Sequence, residues 1–166
     1  MGTALNALDL LQEQHDEVDA LIERLKNETF EPNQKMFVFF ELADKLAAHA
    51  AVEEQLFYPT VKARETEDIL IESTFEHLAI KRVLADLMLT NLDDPRFDAQ
   101  LKVLGEEVEH HAREEEEGEL FPKVRELMSD DELEALGGEM LALFEQLLLQ
   151  QPRNHVKFET REAAKL

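Results

Sequence analysis

Residues 49–59 read HAAVEEQLFYP, and residues 110–122 read HHAREEEEGELFP. Each stretch places a histidine four positions before a glutamate: His49 with Glu53, and His111 with Glu115. On an α-helix that spacing projects both side chains from one face. The faces concerned are the apolar ones. Leu42, Leu46, His49, Glu53 and Leu56 step by three and four, as do Phe97, Leu101, Leu104, Val108, His111 and Glu115. Such spacing is the signature of an amphipathic helix packed on a core.

The same rhythm runs outward from both stretches. Leu8, Leu11, His15, Val18, Ile22 and Leu25 form one stripe, and Leu70, Ser73, His77, Ile80, Leu84 and Leu87 another. Proline occurs only at 32, 59, 95, 122 and 152, so the stripes lie between breakers. Turns are expected near Thr29–Asn33, within Ala63–Glu67 and near Asn91–Pro95. A fifth helix is predicted from about Asp130 to Gln150, capped by Ser129 and weakened or kinked at Gly137-Gly138. The reading is all-α: an up-down-up-down four-helix bundle with an additional C-terminal helix in one domain over 1–150. Residues 151–166 read as a polar tail without firm structure, and His155 within it as inert.

Six ionisable residues share the core stripes: His15, His49, Glu53, His77, His111 and Glu115. They form the pattern H–x33–H–x3–E twice, offset by 62 residues. Residues equidistant from a turn lie level in an antiparallel pair. His15 and His49 are equidistant from Pro32, His77 and His111 from residue 94, and Glu53 and His77 from residue 65. All four helices therefore bring these residues to one layer, about 25 Å from the first and third turns at roughly 1.5 Å per residue. A single such histidine reads most simply as a hydrogen-bonded core residue. Four with two carboxylates ask for a common cause, because a carboxylate is rarely buried unpaired. Imidazole and carboxylate are the usual ligands of a transition-metal cation. Their number suits two ions sharing carboxylates, with a position open for a small ligand.

The duplicated motif, with QHDEVD around His15 and EHLAIK around His77, resembles the hemerythrin-like HHE cation-binding family over about residues 5–125. That resemblance implies two iron ions with an oxo or hydroxo group between them. His15, His49, His77 and His111 would each bind through one ring nitrogen, and Glu53 and Glu115 would bridge. Zinc or manganese suits the same ligands. Oxygen carriers of the family have a fifth histidine where this chain has Ser73. The gap lowers the expectation of reversible oxygen storage and raises that of redox chemistry on peroxide or nitric oxide. Tyr58, the only tyrosine, is a candidate oxygen donor there, although a place at the helix end with its hydroxyl in water is the plainer expectation. His110 reads as a flank residue. The rest of the run Glu114–Glu117 reads as a solvated face, with Glu114 or Glu116 within hydrogen-bonding reach of the site.

Composition sets the outer limits. Lysine and arginine number 17 against 38 aspartates and glutamates, for a net charge of −21. That excess repels phosphate backbones and anionic lipid, so neither nucleic acid nor a membrane is an expected partner. No cysteine is present, which removes disulfides, thiolate metal sites and cysteine nucleophiles. No apolar run approaches a membrane span, and a cytoplasmic place is expected. No EF-hand, HExxH, P-loop or paired Glu-x-x-His pattern competes. The expected function is to bind or reduce a small oxidant (oxygen, peroxide or nitric oxide) at a di-iron site. The alternatives are an iron or oxygen sensor without turnover, and a bundle holding another divalent metal.

Overall fold

In the computed structural model, which describes residues 5–166, the chain is all-α, with no strand among the described residues. Helix α1 (Ala7–Asn27) starts at Asn6, whose side-chain oxygen accepts from the Leu8 and Asp9 amides and satisfies two of the free N–H groups of its first turn. Helix α2 spans 32–61, with Pro32 in its first turn, where no amide bond is lost. The next turn is tied by Thr66 Oγ1, which donates to Val61 O and accepts from the Ala63 amide. Helix α3 (Glu67–Leu89) follows, then α4 over 95–127, opened by Asp94 and Pro95. Helix α5 (Asp130–Leu148) begins at a reciprocal pair, Ser129 with Glu132.

Helix α5 runs through Gly137-Gly138 as one α-helix, where the sequence suggested a weak point. The first glycine answers to packing. A Cβ there would lie 2.4 Å from Leu5 O and 2.7 Å from the Asn6 carbonyl carbon, so a bare backbone is what lets α5 cross the start of α1. A Cβ on Gly138 would meet nothing within 4 Å. The tail also departs from expectation. Two short 3-10 turns, Pro152–Asn154 and Val156–Phe158, pack against α2 and α3, and Val156 is buried.

Two of the helices leave α geometry. Glu53–Phe57 of α2 and His110–Leu120 of α4 are π-helical, with amide-to-carbonyl bonds reaching back five residues. Each segment ends two residues before a proline, Pro59 or Pro122. A proline ring clashes with the carbonyl four residues back in an α-helix, and a wider turn relieves that clash.

The core is in two parts. One, around Leu8, Leu11, Val52, Phe57, Leu70 and Phe121, is closed by α5 through Leu133, Leu136 and Met140. The other lies toward the α1–α2 and α3–α4 turns, around Ile22, Leu25, Leu42, Leu84, Phe97 and Leu101. The histidine and glutamate layer lies between them, so its polar atoms face one another inside an apolar shell.

Candidate metal centre

His15, His49, His77 and His111 come together as expected, one from each of α1 to α4, and all four are buried. Glu53 lies with them, fully buried. Glu115 does not. The fully buried carboxylate on α4 is Glu116, and Glu115 turns to an outer cluster with Glu76 and the half-exposed His110. The reason is the π segment. A residue five positions on in a π turn takes the place that four positions on takes in an α turn, and the whole His111–Glu116 span is π-helical. In α2 the π segment begins only at Glu53, so the spacing of four survives there.

The inward atoms form two overlapping groups. His15, His49, Glu53 and Glu116 make one, and Glu53, His77 and His111 the other, each with ligand atoms within 4.8 Å of one another. Glu53 faces both ways: Oε1 is 2.9 Å from His49 Nε2 and Oε2 is 2.9 Å from His77 Nε2. Glu116 Oε1 lies 2.8 Å from His111 Nε2 and 3.6 Å from His15 Nε2.

Each imidazole is oriented from outside. Nδ1 of His15 donates to Glu117, of His49 to the Gln14 carbonyl, of His77 to Glu54 and of His111 to Glu76, at 2.6–2.9 Å. These acceptors place the proton on Nδ1 and leave the Nε2 lone pair pointing inward, which is how metal-binding imidazoles are usually held. Two of the outer acceptors are themselves fixed. Arg113 joins Glu117 to Asp16 and Asp19, and Lys81 holds both oxygens of Glu54.

The interior is thus a set of acceptors facing acceptors. His15 Nε2, His49 Nε2, Glu53 Oε1 and both Glu116 oxygens are buried with no hydrogen-bond partner. The short His49–Glu53 approach lacks hydrogen-bond geometry. His77 Nε2 and His111 Nε2 lie 2.9 Å apart, where two lone pairs repel unless a cation stands between. Without a metal, protons take that part. Burial opposes charge on His111, but Glu116, Glu53 and Glu76 outweigh it and hold its pKa well above the ordinary value. His15 and His77 are raised against the same burial by their carboxylate neighbours. Burial likewise opposes ionisation of Glu53, yet His49, His111 and His77 pull it well below the usual carboxylate range. The donor set fits a cation of charge greater than one.

Tyr58 corrects a second expectation. Its ring is fully buried, and its hydroxyl is in the site rather than in water, donating toward Glu53 Oε2 at 3.2 Å and lying 3.2 Å from His77 Nε2. Burial, then the charges of Glu116 and Glu53, push the phenol well above its ordinary range. Ser73, at the fifth-histidine register, is buried and small. The replacement of Glu115 by Glu116 had a faint signal in the sequence. Leu56 follows His49 by seven positions, whereas Leu120 follows His111 by nine, so the second copy of the motif carries extra residues.

A family profile and several known proteins resemble this chain. The family profile described as Hemerythrin HHE cation binding domain matches residues 6–124. The uncharacterized protein Rv2633c of Mycobacterium tuberculosis is 27% identical over 143 residues, covering 86% of this chain and 88% of that protein. A Nostoc sp. protein named DNA nickase is 28% identical over 138 residues, 83% of this chain, and the match spans 39% of its length. The crystal structure of a hemerythrin HHE cation-binding domain-containing protein, the Rv2633c homolog from Mycobacterium kansasii, superposes with a TM-score of 0.78 at 25% identity, covering 95% of both chains.

Proposed function

Because the chain belongs to the hemerythrin HHE cation-binding family, we propose that it holds two iron ions and uses them to bind or reduce a small oxidant such as oxygen, peroxide or nitric oxide. The observation that carries this reading is the cluster of inward acceptors: five nitrogen and oxygen atoms of His15, His49, Glu53 and Glu116 are buried without partners, beside a second group, His77 and His111, that shares Glu53. His15, His49, Glu53 and Glu116 would hold one ion, and His77, His111 and Glu53 the other. When bound, a ferrous pair supplies two electrons to an oxidant. The chain's own part is to keep four Nε2 lone pairs aimed inward through their Nδ1 partners, to exclude bulk water with the apolar shell, and to hold a proton on Tyr58 Oη beside His77 and Glu53.

The test is a metal count per chain and a visible spectrum on protein from iron-replete cells. About two irons with charge-transfer absorption is the expected result. A fully folded, metal-free protein indifferent to Glu53→Ala and Glu116→Ala would overturn the reading. One contact favours a second reading, sensing without turnover. His77 reaches the tail through Glu54, Lys81 and Glu159, so metal at His77 is linked to the order of that segment. Hydrogen exchange of residues 152–159 that depends on metal, in a protein without turnover, would select it.

No helix among the described residues is long and apolar enough to cross a membrane.

A further inference from the structure

Above the histidines, on the side of the second apolar cluster, lies a cavity of about 30 Å3. The four imidazoles form its floor, and Val18, Leu46, Ile80, Leu84 and Val108 its walls. One water requires roughly 10–15 Å3 of such space, so the chamber has room for about two non-hydrogen atoms. Water also requires two to four polar partners. The walls offer none beyond Lys81, whose Nζ is turned to Glu54 and Glu159, and unpartnered acceptors lie only at the floor, on Nε2 of His15 and His49. An uncharged diatomic molecule needs no such partners, so it suits these walls.

The chamber is closed by the tail. Val156 is almost fully buried, and its inner side lines the chamber. Its outer side lines a surface recess of about 440 Å3 between α3 and the tail, with Met88, Leu89 and Lys157. One side chain therefore separates the recess from the chamber. The other apolar walls belong to long helices whose backbone bonds form continuous ladders. Val156 belongs to a three-residue 3-10 turn held mainly by side chains. Its ties are Arg153 to Asp44 of α2, with the guanidinium 4.4 Å over Phe40, then Glu159 to Lys81, and Arg82 to Thr160 O. Short segments fastened in this way open locally at lower cost than helix interiors.

We propose that Val156 is the gate between the surface recess and the histidine chamber, admitting uncharged diatomic molecules and setting their largest size by its own bulk. The proposal rests on the proposed function only for what such a molecule meets inside.

Xenon, an inert apolar probe, tests the gate on the full-length protein as purified, by exchange NMR. Truncation in Val156→Ala removes two methyl groups and is expected to raise both the bound fraction and the exchange rate by about tenfold. Asp44→Ala releases the tie to Arg153 without touching the chamber walls, and is expected to speed exchange while leaving the bound fraction unchanged. Val156→Phe is expected to abolish the bound signal. Val156→Ala behaving as wild type, or exchange unmoved by Asp44→Ala, would overturn the gate. The metal content of the same samples keeps the two readings apart. A protein without metal but with the xenon effects intact loses the proposed function and keeps the gate, whereas two irons with unaltered exchange does the reverse.

Discussion

Glu115 and Glu116 are adjacent, chemically identical and both acidic, yet the fold separates their roles. The Glu116 side chain is completely buried, with both oxygens lacking hydrogen-bond partners and Oε1 2.8 Å from His111 Nε2. The Glu115 side chain is 13% exposed, and its nearest basic atom is His110 Nε2 at 3.8 Å. Glu116→Gln keeps the volume and removes one buried negative charge facing the proposed metal site. Removing one partner of a buried charge pair costs about 3–5 kcal/mol. At about 1.4 kcal/mol per tenfold, metal affinity should fall by roughly two to three and a half powers of ten. Glu115→Gln touches a pair at the rim, where the contribution is about 0–1 kcal/mol, so affinity should change by less than about sixfold. The assay is metal retained per chain after dialysis against graded chelator, with thermal unfolding on the same samples. Glu116→Gln should emerge depleted and Glu115→Gln loaded. The opposite order would mean that the helix keeps α register through His111, and would refute the π-turn argument.

Tyr58→Phe should alter the visible spectrum of the loaded protein and change the stability of the metal-free protein by about 1 kcal/mol; a hydroxyl in water would leave both unmoved. Gly137→Ala should destabilise by about 1–3 kcal/mol, because its Cβ meets the backbone before α1, whereas Gly138→Ala should stabilise by about 0.5–1 kcal/mol; thermal melts compare the two. The pH dependence of stability should differ between loaded and stripped protein. In the stripped protein His111, His15 and His77 are raised, so their contribution is full below the ordinary 6.5 and lost as pH rises through the folded values. Glu53 is lowered, so its contribution is present above 4.5 and lost as pH falls further. Urea midpoints of stripped protein should therefore be higher near about pH 5.5 than near about pH 8. Loaded protein should instead release metal on acidification, because protons compete for Nε2. Equal slopes for both forms would count against a cation held by these nitrogens.

Much of the fold was legible because amphipathic helices announce themselves by spacing. The stripes through Leu8–Leu25 and Leu70–Leu87 lie on helices as predicted, and the turns fall where proline and the midpoint arithmetic put them. The layer holding His15, His49, Glu53, His77 and His111 was legible for the same reason, since side chains level across antiparallel helices follow from counting. The counting failed where its premise of 3.6 residues per turn failed. Glu116 displaced Glu115 because the backbone of 110–120 bonds five residues back.

Tyr58 and the tail were hidden for a different reason. A tyrosine at a helix end and a polar C-terminal stretch carry no periodic signal, and their burial depends on surfaces supplied by distant residues: the space beside Ser73 for the phenol, and the groove between α2 and α3 for Val156. Local sequence thus specified the helices and a layer of buried histidines with Glu53, because hydrophobic periodicity and equal distance from a turn are properties of a chain read in order. Which of two neighbouring glutamates enters that layer, which hydroxyl joins it and what closes the chamber above it were set by packing between segments far apart in sequence. A shift of one residue within a helix costs little locally, and its sign is chosen by what the shifted side chain meets.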